Sequence, residues 1–175
     1  MNSGFLPILY AAFIAVMLWT AYYDLKNRII QHRVVLGLLA TAPLTWWALG
    51  IPLLPTIAWG QPWLLMLVSF FSPTSITAIV LLAILFFLLF TLFFALGIMG
   101  GGDVKLMGAI GLWLMPLELI WLLIIEAIAG LVVTALAWAH HRWRKKEGRT
   151  EVPRGVSIAF AGICVIGERY LNQFS

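Results

Sequence analysis

The chain has 175 residues, of which 63% are hydrophobic and 10% charged. Soluble domains carry about 25% charged residues, so the composition leaves no room for a large soluble domain and indicates an all-α, polytopic membrane protein. The net charge of +4 is not a nucleic-acid signal, because the basic residues fall at the edges of apolar stretches, and the one cysteine, Cys164, excludes an internal disulfide and a four-cysteine zinc site.

The first stretch, "GFLPILYAAFIAVMLWTAYYD", follows no basic n-region and holds no small-residue cleavage site. It reads as a retained membrane helix over 4–23 rather than a signal peptide. A second span is expected over 34–54, ending near Pro52 and Pro55, and a third, free of charge, over 75–98. Between them, 59–72 has a short apolar core flanked by Pro62 and Pro73 and carries tryptophans. That pattern suits an interfacial or re-entrant segment. Residues 104–138 are too long for one span of roughly 20 residues; Pro116 divides them into a short element, 104–116, and a longer one, 117–139. The last span is expected over 155–172, where Cys164 reads as a small core residue. This gives about six transmembrane helices in one membrane domain.

Charge sets the orientation. Ten of the eleven Lys and Arg residues fall after the first span, after the glycines at 100–102, or in the loop 140–155; only Arg169 lies elsewhere. With six spans these ten share one face, which the positive-inside rule makes cytoplasmic, with the N-terminus outside. The basic loop is expected to lie against anionic lipid. Asp24 and Asp103 then lie at the same cytoplasmic edge.

These are the only two aspartates. Asp103, opening a helix after Gly100, Gly101 and Gly102, has a simple reading as a helix cap. Three successive glycines go beyond what a cap needs. They permit unusual backbone angles and the close approach of another chain, and a broken helix at membrane depth lines protein or a wet cavity. Asp24 reads alone as a solvated turn residue pairing with Lys26 or Arg28. Two carboxylates on different helices at one edge are also the kind of pair that shares a proton and does acid–base chemistry. Few other groups compete. His140 and His141 are adjacent and make a poor metal pair, so no metal or cofactor is expected. Ser157 reads as a helix-packing residue. Glu126 is an intramembrane charge, read as a packing or hydrogen-bonding group, and Glu118 as a cap on its helix.

"GGGDVKLMGAIG" resembles the GxGD signature of the prepilin peptidases, integral-membrane aspartyl proteases that process type IV pilins. "DLKNRII", 24–30, resembles their other aspartate motif, and "PRGVSIAFAG", 153–162, their Pro-x-Gly-x-x-Ile-Ala element. Where the first motif usually continues Pro-Asn, this chain has Gln31-His32. It lacks the zinc-binding, methylating domain of the larger members and is similar to the short, peptidase-only branch associated with tight-adherence (Flp-type) pili. The resemblance implies catalysis by Asp24 and Asp103 at the bacterial inner membrane, with Gly100, Gly101, Gly102 and Lys105 admitting the substrate. It implies a prepilin substrate with a basic leader, cut at the cytoplasmic edge, and pilus-assembly machinery as a further partner. The basic leader would be received by anionic lipid or by Glu147 and Glu151. Two other classes stand beside this reading: a proton-coupled transporter or channel using Asp24, Asp103 and Glu126, and a structural subunit of a pilus or secretion assembly.

Overall fold

The computed structural model describes residues 4–54, 75–143 and 152–174. The expected interfacial segment at 59–72, Glu147, Glu151 and the basic run 144–149 lie outside them. Six helices and no strand occur among the described residues: α1 (Leu6–Asn27), α2 (His32–Leu49), α3 (Ile76–Ala95), α4 (Gly101–Gly111), α5 (Pro116–Trp143) and α6 (Arg154–Phe174). Three stretches are long and apolar enough to cross a membrane: Leu6–Asn27, Ile76–Ala95 and Pro116–Ala139. With 11 residues, α4 is about 16 Å long, roughly half a hydrocarbon core.

Local chemistry explains the helix ends. The α1 helix stops where Arg28 turns left-handed at φ 57°, its N–H bonded to the Asp24 carbonyl at 2.9 Å. Such a conformation is unfavourable for a residue with a Cβ; here it redirects the chain into the short link to α2. Gln31 caps α2 at φ −72° and ψ 129°. A proline ring fixes nearly the same φ, so the backbone at Gln31 is one that proline could also adopt. Ser75 caps α3, its hydroxyl accepting the Ala78 N–H at 3.2 Å. The α3 helix ends on Gly97 at φ 71°, with Ile98 N–H bonded to Phe93 O and Gly97 N–H to Phe94 O, the paired bonds of a glycine-terminated helix. The backbone freedom expected of the glycine run therefore belongs to Gly97. Gly100 has an ordinary extended conformation, φ −74° and ψ 144°, and Gly101 and Gly102 are helical.

The α1 helix packs chiefly on α6, α5 on α6, and α3 on α4. The interior of the bundle surrounds α4, whose Val104 and Leu106 to Gly111 are all buried. Small residues set the closest approaches. A methyl group at Gly108 would stand 2.8 Å from the Phe87 ring, and one at Gly162 3.5 Å from the Phe13 ring. At the far end of α4, the Trp113 indole donates to Leu38 O at 2.9 Å and the Trp46 indole to Leu112 O at 2.8 Å. Outward faces are strongly apolar: Trp19, Leu85, Leu88, Trp121 and Leu131 are all more than half exposed. Surfaces of that kind suit lipid rather than water. Cys164 is only half-buried, so it lies at the margin of the core and not within it.

Candidate active site

Three helix ends converge at one side of the bundle. The last turn of α1 supplies Asp24, the first turn of α4 supplies Asp103, and the first turn of α6 supplies Arg154 and Gly155. Asp24, Asp103 and Arg154 line one polar cavity of about 730 Å³, which the α3–α4 turn also borders through Gly97 and Gly100.

Asp24 is buried, at 5% exposure. Its carboxyl faces the start of α6, where the Gly155 and Val156 amides and the Arg28 charge act on it. Its Oδ2 is buried without a hydrogen-bond partner. Gly155 makes this approach possible: a Cβ there would lie 2.9 Å from both Cγ and Oδ2 of Asp24. The need for glycine is thus steric.

Asp103 is half-buried and stands third in α4. Its carboxyl reaches back to the Gly100 amide, which is half of a capping box. The expected N-cap position is therefore corrected: Gly100 stands at the N-cap and Asp103 reaches back to it from the first turn. The cap reading is also incomplete. Burial and the neighbouring Asp24 charge raise the Asp103 carboxyl from 3.8 to about 6, against the pull of Arg154 and the Gly100 amide. A methyl at Gly100 would come within 3.0 Å of Asp103 Oδ2, and one at Gly102 within 3.2 Å of Ile30. Gly102 thereby lets the link after α1 press against the start of α4. Gly101 instead faces Phe94, with a Cβ contact of 3.2 Å. Lys105 is turned away and lines a neighbouring apolar groove, because residues two apart on a helix do not share a face.

Two further residues stand beside the carboxylates, and of these only Glu126 was singled out by the sequence. Arg154 reads in sequence as one more basic loop residue. In the fold its Nη1 donates to Ile98 O at 2.9 Å, which ties α6 to the α3–α4 turn, and its charge acts on both Asp103 and Glu126. Glu126 accepts a long hydrogen bond, 3.5 Å, from Ser157, whose hydroxyl also donates to Arg154 O at 2.8 Å. The Glu126 charge reaches Asp103 as well. The hydrogen bond to Ser157 matches the sequence reading of Glu126; its proximity to the site adds to it.

The chain matches the type IV leader peptidase family over residues 11–135. It belongs to that family. No curated protein and no solved structure matches it. As a family member it is a peptidase of the leader-peptidase kind. The matched region contains both aspartates and Glu126. The "PRGVSIAFAG" element lies beyond it, yet this leader peptidase uses that element to cover Asp24 with Gly155.

Proposed function

We propose that this leader peptidase is a membrane aspartyl endopeptidase that removes the basic leader from prepilin-type, Flp-like substrates at the cytoplasmic edge of the inner membrane. Asp24 and Asp103 share a proton and activate water against the scissile carbonyl. The observation that carries this reading is that the only two aspartates, 79 positions apart in the sequence, line one cavity, where the Asp24 charge acts on Asp103. Asp24, whose Oδ2 has no hydrogen-bond partner, is the base that takes a proton from water. Asp103, raised to about 6, holds the proton that the leaving amine needs. Two neighbouring carboxyls divide acid and base roles in this way. The extended substrate strand enters the cavity that Gly100 and Gly102 line, and Lys105 meets it further along.

The deciding experiment is cleavage of a prepilin in membranes by the wild type, Asp24→Asn and Asp103→Asn. Each substitution is expected to lower the rate by about 100- to 10,000-fold, the usual weight of a general acid or base, with the protein still inserted. Normal cleavage by either variant would reduce that aspartate to a cap and reopen the transporter and assembly readings.

A further inference from the structure

The polar cavity does not end at the carboxylates. His32, the first residue of α2, lines it and also lines a second cavity of about 440 Å³ between α2, α3 and α4. The second cavity is apolar: Leu36 and Leu39 of α2 form one wall, Ile84 and Phe87 of α3 the other, and Gly108 lies along the floor. Its volume falls within the range of about 300–1,000 Å³ common to ligand sites. The walls are exposed, Leu36 at 63% and Ile84 at 50%, so in a bilayer the groove opens sideways to lipid. Polar groups stand only near the junction, where Lys105 joins His32.

We propose that this groove seats the apolar segment of the substrate next to its scissile bond, with His32 as the threshold between the two cavities. The inference rests on the peptidase reading and deepens it. A protein substrate reaching carboxylates at the end of apolar helices arrives with membrane-embedded chain adjoining the cut. That chain needs an apolar track continuous with the cavity of the carboxylates, and the groove provides one. Gly108 lets the Phe87 wall close directly onto α4, since a side chain there would collide with the ring. Because Asp103 and Lys105 lie on different faces of α4, one short helix serves both cavities: its aspartate faces the cut and its lysine the groove.

The test uses the full-length protein in nanodiscs. Its probe is a synthetic peptide with a Lys/Arg-rich leader, a glycine and about 20 apolar residues, the length of one span. A benzophenone amino acid replaces Leu39 or, separately, Ile84 in the Asp103→Asn background; the control position is Leu131, an exposed residue of α5 outside the groove. In parallel, the wild type is assayed for cleavage of the same peptide. The expected result is cleavage by the wild type and light-induced cross-links from positions 39 and 84 to the apolar part of the peptide, several-fold stronger than from 131. Cleavage with cross-links from 39 and 84 only to lipid, or no stronger than from 131, would overturn the groove and leave the peptidase intact. No cleavage by the wild type would remove the peptidase reading and the groove with it. Two wall positions are used so that one misfolded variant does not decide the outcome.

Discussion

Asp103 and Glu118 are built alike and end differently. Each stands third in its helix, α4 or α5, and reaches back to the amide before that helix; Glu118 Oε2 accepts the Met115 N–H at 2.7 Å. Each meets an arginine of α6. At Glu118 the arginine closes the site: Arg169, 6% exposed, donates from Nε at 2.7 Å and from Nη2 to the carboxylate, and from Nη1 to Trp113 O at 3.0 Å. At Asp103 the arginine is exposed and spends its hydrogen bond on Ile98 O, and the charge with the largest influence is another carboxylate. The same local motif thus gives a saturated, structural acid at one place and an underserved, titratable acid at the other. The contrast comes from long-range packing.

The largest expected effect on stability tests the closed end. Arg169→Met leaves the Glu118 charge partly buried and unpaired, and should destabilise by about 3 kcal/mol. Adding Glu118→Gln should recover much of that loss, read as the thermal midpoint in detergent. If the single variant melts like the wild type, the pair is not what closes that end. At the open end, Gly155→Ala should act on activity. The new methyl meets the Asp24 carboxyl at 2.9 Å and displaces it, so cleavage is expected to fall about tenfold or more, since misplacement by about an ångström costs that much or more. Unchanged cleavage would mean that α6 retreats freely from Asp24.

Asp103→Asn carries a pH signature. The folded-state value near 6 lies above 3.8, so the charged form costs stability, fully above pH 6 and hardly at all below about pH 4. The asparagine variant should therefore be more stable than the wild type by about 1–2 kcal/mol at pH 7.5, after allowance for solvent screening. The gain should vanish on acidification through pH 6 to 4. A pH-independent difference in melting temperature would contradict this. The smallest effect belongs to Gln31→Pro. With φ at −72°, it should change stability by well under about 1 kcal/mol and leave cleavage near the wild-type rate.

Much of this was legible in the sequence because it depends on local rules. Apolar runs placed the helices to within a few residues, and Glu118 read as a cap because a cap is settled within one turn. The family signature marked Asp24 and Asp103. The partners stayed hidden. Arg169 and Glu118 are 51 positions apart, and Arg154 and Ile98 are 56 apart; no spacing rule links them. The role of Gly155 was equally invisible, since it follows from how close α6 comes to Asp24. The short α4 was foreseen as a short element but not as the enclosed centre of the bundle. Burial depends on which helices surround a segment, and its own composition does not state that.

The length of α4 also bears on how the protein is made. At about 16 Å it is too short to enter a bilayer as an independent span. Enclosed as it is, it needs no match to the bilayer thickness. During biosynthesis it must enter as one arm of a hairpin with a longer neighbour, α3 or α5. The carboxylate it carries then meets Asp24 late, after most of the chain has been threaded, and its arginine and the glycine that cushions Asp24 arrive only with the final helix. On the proposed mechanism, a nascent or truncated chain has no working pair of acids, and cleavage waits on completed assembly.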